Sequence, residues 1–227
     1  DPADHRIVGE EDADGLAGDD AAVVRRAIVE VVGHWRNGID EQDVLAAIDS
    51  CDHDGTSESY WTLDPVDGTK GFLRGQQYAI ALGRIEHGHV VAGVMGCPAL
   101  PVSQSAPLDT PDPIGVLYAA AEGQGSWEFA GCDPEADRLR IRTRPEQADR
   151  SWRFCGSVEK AHSSRNDSDR VSDAVGNVGE PVRLDSQCKY AMVARGQADA
   201  YLRLPTRAGY VEKIWDHAAG SIIASEA

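Results

Sequence analysis

The feature that most constrains the fold is a change of period at Asp67-Gly68-Thr69. Before it, Val23, Val24, Ala27, Ile28, Val31 and Val32 recur at helical spacing, and Val44, Leu45 and Ile48 repeat the pattern, so residues 19–50 read as helices. After it the apolar runs are short and cut by turn residues. Residues 78–86 and 89–95 flank His87-Gly88, and residues 114–121 and 126–129 flank Gly123-Gln124-Gly125, which predicts two β-hairpins. Residues 51–59 read as an exposed loop, and residues 101–113, with four prolines, as another.

From about residue 150 the two periods interleave. Strands are expected at 152–155, 182–184 and 198–202, and helices at 168–175 and 186–194. The expected class is α/β, with an α+β region over 1–148 followed by an α/β region over 149–227. A chain of 227 residues can bury a substantial core, as one domain or as two joined halves. It opens without Met on a strand-like Ile7-Val8-Gly9-Glu10 and closes inside an apparent amphipathic helix. An internal piece of a longer protein, truncated at both ends, is therefore the expectation.

Charge narrows the partners. Acidic residues outnumber Lys and Arg by 38 to 22, a formal charge of −16, which argues against long nucleic acid because phosphate contacts need clustered cations. No apolar run approaches the roughly 18 residues of a membrane span. The five cysteines (Cys51, Cys97, Cys132, Cys155, Cys188) form no C-x-x-C pair, which fits reduced thiols better than a disulfide framework or a zinc site. A monomer is expected, in the cytoplasm or, alternatively, an organelle.

The most informative stretch runs from Trp61 through Thr69, WTLDPVDGT. Apolar residues lead into Asp64, Pro65 is expected to end the strand ladder, and Gly68 permits a tight turn, so Asp64 and Asp67 can converge on one point. Mg²⁺ takes such hard oxygen ligands, typically one or two carboxylates with waters and substrate phosphate, and the Val66 carbonyl can add a neutral oxygen. Thr69 stands where a helix can begin. Read alone, the motif is equally a simple turn. Glu10 and Glu11 follow a strand-like segment, or belong to a solvated acidic loop. Asp216 opens the helix carrying Ala219, Ile222 and Ile223, either as a ligand or as an N-cap. Glu10, Asp12, Asp14 and Gly15 superficially match the start of an EF-hand loop, but the twelfth position is Ala21 where a bidentate Glu belongs.

Residues 61–81, WTLDPVDGTKGFLRGQQYAIA, resemble the lithium-sensitive, metal-dependent phosphomonoesterase superfamily that includes inositol monophosphatase. The extension from Lys70 to Gly75, KGFLRG, looks like its 3'(2'),5'-bisphosphate nucleotidase branch. Supporting matches are IVGEED at 7–12, SVEKAHSS at 157–164, LDSQCKYAM at 184–192, DAYLRLP at 199–205 and EKIWDHAAG at 212–220, in the right order over nearly the whole chain.

The resemblance implies a layered αβαβα sugar-phosphatase-type fold and a phosphomonoesterase using two or three Mg²⁺ ions. Glu10, Asp64, Asp67, Asp216 and the Val66 carbonyl would hold the metal, and Thr69 with Asp67 would be catalytic. Thr69, His162, Ser186, Lys189, Arg203 and Asp216 would bind the substrate, a small nucleotide bisphosphate: adenosine 3',5'-bisphosphate or its 5'-phosphosulfate analogue. Inhibition by lithium is implied as well. The family's further Asp, upstream of its G-E-E motif, has no counterpart in this sequence. The competing readings are an inositol polyphosphate 1-phosphatase and a non-catalytic nucleotide or metal sensor.

Overall fold

The computed structural model describes residues 6–131, 133, 137–145, 150–158, 165–176, 178–204 and 209–227. Strand β1 (Ile7–Gly9) is followed by helices α1 (Ala22–Gly33) and α2 (Glu41–Asp49), then strand β2 (Ser59–Asp67) and helix α3 (Thr69–Leu73). Helix α2 starts on a capping box, in which Asp40 accepts from the Asp43 amide at 2.9 Å and Asp43 accepts from the Asp40 amide at 3.1 Å. The β-rich part comprises β3 (Ala79–Glu86), β4 (His89–Cys97), β5 (Val116–Ala121), β6 (Gly125–Ala130) and β7 (Arg138–Ile141). His87 and Gly88, with φ of 49° and 81°, supply the positive-φ pair that the β3–β4 hairpin turn needs.

These seven strands form one sheet in sequence order, β1 parallel to β2 and every other pair antiparallel. A second, parallel sheet has the order β10-β8-β9, from β8 (Phe154–Gly156), β9 (Val182–Arg183) and β10 (Ala200–Tyr201). Helices α4 (Arg165–Val175) and α5 (Cys188–Ala194) belong to this part of the chain, and α6 (Ala218–Ser225) returns to lie on β3, β4, β5 and β6 of the first sheet. The buried cluster draws on both sheets: Met95, Leu100 and Tyr118 pack with Leu184, Met192 and Ile223.

Several expectations shift. Pro65 does not end β2, which runs on to Asp67; pairing slips between Asp64↔Ala81 and Asp67↔Ala79, a bulge that accommodates a residue with no amide hydrogen to offer. Ile114 is exposed and β5 begins at Val116. Trp152 makes only an isolated bridge to Val178, so the expected strand there starts at Phe154. Asp14 lies in a short 3₁₀ turn (Asp14–Leu16), and neither Asp12 nor Asp14 joins a three-ligand cluster among the described residues, so the EF-hand reading has no support. Cys51, Cys97, Cys155 and Cys188 are free thiols. Cys132 lies outside the described residues.

Candidate active site

Asp64 reaches the site because it sits on the inner face of β2, directly before the bulge. Its Oδ1 accepts from the Val66 amide at 3.1 Å, which fixes the carboxylate and leaves Oδ2 buried with no hydrogen-bond donor to it among the described residues. The bulge then turns Asp67 onto the same side. Ligand oxygens of Asp64, Asp67 and Asp216 lie within 4.8 Å of one another, although Asp216 is some 150 positions further along the chain. Glu10, one residue past β1, stands beside Asp64. The parallel β1–β2 pairing, with Gly9 opposite Leu63, places it there.

Glu10, Asp64 and Asp67 are all raised above the ordinary carboxylate range, chiefly by burial. Burial, then Asp67, then Glu10 push the Asp64 carboxyl up to about 9. Burial also raises Glu10, against its hydrogen bond with Asp64 and with the help of Asp216 and Glu11. Burial raises Asp67 too, opposed by the nearby Lys189 ammonium and by the Gln187 amide that donates to its Oδ2. A hard divalent cation answers every feature of this set: oxygen donors only, excess negative charge, and a buried carboxylate oxygen with no donor.

Asp216 is not a helix cap. It ends a 3₁₀ turn (Ile214–Asp216), the N-cap of α6 is His217, and no side chain caps that helix. Instead Asp216 Oδ2 accepts from Arg203 Nη2 at 2.9 Å, and Arg203 Nε reaches Glu212 at 2.8 Å. His217 bonds Tyr190 through Nδ1 at 2.7 Å and approaches Glu212 through Nε2 at 3.3 Å.

Next to the acids opens a cavity of about 280 Å³, bordered by Asp67, Thr69, Ser186, Lys189 and Arg203. Gly68, at φ 86°, turns the chain from β2 into α3. Thr69 is exposed, and its hydroxyl lies 3.4 Å from the Val66 carbonyl. Ser186 takes φ 66°, a left-handed conformation uncommon outside glycine, and its Oγ accepts from the Cys188 amide at 3.2 Å. Lys189 is buried, its ammonium 3.4 Å from the Leu184 carbonyl and 5.2 Å from the Tyr201 ring centroid; burial lowers its pKa, against the pull of Asp67.

Nine of the ten sequence-predicted site residues therefore fall in this region: Glu10, Asp64, Val66, Asp67, Thr69, Ser186, Lys189, Arg203 and Asp216. The tenth, His162, lies outside the described residues. Sequence reasoning missed Gln187, which joins the two halves of the site. Its amide holds Asp67, its Nε2 donates to the Trp215 carbonyl at 2.9 Å, and its Oε1 accepts from the Gly220 amide at 3.4 Å. The only signal was a long polar side chain at the start of a helix. Asp185 was missed too; it pairs with Arg74 across the cavity wall.

Residues 4–227 match the inositol monophosphatase family. The chain belongs to that family. A Schizosaccharomyces pombe protein named 3'(2'),5'-bisphosphate nucleotidase is 36% identical over 230 residues, 97% of this chain and 65% of the relative. One of the same name from Emericella nidulans is 44% identical over 184 residues, 76% of this chain and 52% of the relative. The chain thus spans between half and two thirds of the length of these curated relatives. Among solved structures, CysQ from Bacteroides thetaiotaomicron, described as a bacterial member of the inositol monophosphatase family, superposes with a TM-score of 0.56 at 24% identity. That match covers 75% of this chain and 60% of CysQ, and it supports the α/β fold assignment.

Proposed function

We propose that the protein is a Mg²⁺-dependent phosphomonoesterase that removes the 3'-phosphate of adenosine 3',5'-bisphosphate, and of its 5'-phosphosulfate analogue, by attack of water. The observation that carries this is the meeting of Asp64, Asp67 and Asp216 within 4.8 Å, with Glu10 beside them, at the edge of a cavity that also presents Lys189 and Arg203. The names of the relatives from Schizosaccharomyces pombe and Emericella nidulans support the choice of substrate.

Glu10, Asp64, Asp67, Asp216 and the Val66 carbonyl would hold two or three Mg²⁺ ions. Bound there, the metal supplies the positive charge and Lewis acidity that a dianionic phosphate ester demands. Asp64 and Asp67 must both be ionised for this, which their mutual repulsion resists until a cation arrives. The Thr69 hydroxyl, beside the Val66 carbonyl, would orient the attacking water and take its hydrogen bond. Lys189 and Arg203 would draw the phosphate ester into a body of formal charge −16, and Ser186 and His162 would contribute polar contacts to the nucleotide. The same reading expects a monomer in a reducing, cytoplasm-like compartment. The four free thiols support the redox part, and among the described residues no helix is long and apolar enough to cross a membrane.

The test is phosphate release by the intact protein from adenosine 3',5'-bisphosphate and from inositol 1,4-bisphosphate, with Mg²⁺ and after exhaustive chelation. Preference for the nucleotide, abolished by chelation and inhibited by millimolar lithium, is the expected result. Preference for the inositol ester, turnover without metal, or binding without turnover each overturns it.

A further inference from the structure

Two of the carboxylates that would share a cation come from separate elements: Asp67 ends β2, and Asp216 ends the 3₁₀ turn ahead of α6. Local backbone cannot fix their separation, so it must be set across the fold. Gln187, buried immediately ahead of α5, reaches both sides. Its main-chain amide donates to Asp67 Oδ2. Its side chain spans the turn that carries Asp216. Nε2 donates to the Trp215 carbonyl at 2.9 Å, one residue before Asp216, and Oε1 accepts from the Gly220 amide at 3.4 Å, four residues after it.

The bond to Gly220 takes the place of a cap. The first amides of a helix have no intrahelical acceptor, and no side chain caps α6 at His217. Gln187 supplies an acceptor from outside the helix. Gly220 permits this close approach, because a β-carbon there would collide with the Tyr190 ring. Tyr190 stands three residues after Gln187, on the same side of α5, and its hydroxyl meets His217 Nδ1 at 2.7 Å. Trp215, His217 and Gly220 are thus all held from the α5 side, while Arg203 meets the Asp216 carboxylate itself.

We propose that Gln187, assisted by Tyr190, is a positioning residue that sets Asp216 against Asp67 and thereby the affinity of the cluster for Mg²⁺. The proposal rests on the reading of these carboxylates as a metal site. The bond to Asp67 comes from the main chain and survives replacement of the side chain. Side-chain variants at 187 therefore loosen the Asp216 end alone. Groups that act on a metal through its ligands are worth about 10–100-fold in metal affinity.

Calorimetric titration of the intact protein with Mg²⁺, without substrate, tests this in Gln187→Met, Tyr190→Phe and Met192→Ala. Gln187→Met keeps the length of the side chain and removes both of its hydrogen bonds. Its Kd for Mg²⁺ should rise about 10–100-fold, and hydrolysis of adenosine 3',5'-bisphosphate should need correspondingly more Mg²⁺ to reach half its maximal rate. Tyr190→Phe removes one bond to the same turn and should raise Kd by less, which keeps the proposal testable should Gln187→Met fail to fold. Met192→Ala opens a cavity in the buried core of the same helix; it should lower stability and leave Kd unchanged. An unshifted Kd in Gln187→Met or, where that variant does not fold, in Tyr190→Phe overturns the proposal, as does an equal shift in Met192→Ala. Wild-type protein that binds no Mg²⁺ defeats the metal-site reading, and this proposal with it.

Discussion

A β-carbon placed on Gly68 would lie 2.7 Å from the Cβ of Ser186, so the turn after Asp67 and the turn before α5 touch at the floor of the cavity. Both residues are in left-handed conformations, φ 86° and 66°. Gly68→Ala therefore combines two penalties, a φ that alanine resists and a contact tighter than van der Waals distance. A stability loss of about 1–3 kcal/mol is expected from the strained backbone. Displacing Asp67 or Thr69 by about 1 Å should lower kcat about 100-fold. Urea unfolding and single-substrate kinetics separate the two effects; a variant with wild-type kcat would show that the contact is not needed for positioning.

The raised carboxyls predict how stability depends on pH and metal. Asp64 titrates near 3.9 in an unfolded chain but is pushed up to about 9 in the fold, so the folded state binds the extra proton between these values. Stability should therefore fall as pH rises through that window. Glu10 and Asp67 shift in the same direction and steepen the fall. Mg²⁺ replaces the proton, so the thermal midpoint should rise on adding metal, and more at about pH 8 than at about pH 5.5. Thermal unfolding across pH, with Mg²⁺ or chelator, gives the answer. Asp64→Asn should flatten the slope, and a metal effect independent of pH would count against a cation in this cluster.

Local pattern determined what the sequence made legible. WTLDPVDGT and EKIWDHAAG are continuous, and their carboxylates need only a strand end and a turn to be presented, so Asp64, Asp67 and Asp216 could be read directly. Helical and strand periods located α1, α2 and the hairpins for the same reason. The parts that escaped depend on long-range closure. Gln187 gains its role from an amide 120 positions away from Asp67, and Asp185 from Arg74. Pro65 was expected to end a ladder because a lone proline cannot donate; the bulge at 64–67 removes the need for a donor there. Asp216 kept a second reading as a cap because helix starts favour Asp, but Arg203 claims its carboxylate.

A second ion pair, away from the acids, bears on folding alone. Arg195 is fully buried, and its Nη1 lies 3.6 Å from Glu128, 3.0 Å from the Pro101 carbonyl and 3.1 Å from the Tyr118 hydroxyl. Removing Glu128 strands that charge in a nearly waterless setting. Glu128→Ala should cost about 3–5 kcal/mol, whereas replacing both partners, Glu128→Leu with Arg195→Met, should recover most of it. Equilibrium unfolding of the two variants is decisive, since a double variant no more stable than Glu128→Ala would mean that the stranded charge is not the source of the loss.

The core and the carboxylate cluster are linked through α6. Helix α6 lies so close to β4 that a β-carbon on Gly93 would stand 2.7 Å from Ile222 Cγ2, 2.9 Å from the Ala219 carbonyl oxygen and 3.0 Å from its Cα. Asp216 precedes this helix by two residues, so any outward shift of α6 carries the carboxylate with it. Gly93→Val should overpack the interface, costing about 1–3 kcal/mol, and should also weaken Mg²⁺ binding through Asp216. Gly96 supplies the control: it lies on the same strand, but the nearest atoms to an added β-carbon, on Ile80 and Leu117, are 4.0 Å away. Gly96→Ala should leave both properties unchanged. Following the thermal midpoint against Mg²⁺ concentration reads stability and affinity in one series. Loss of stability in Gly93→Val with an unaltered metal response would mean that α6 does not set the position of Asp216.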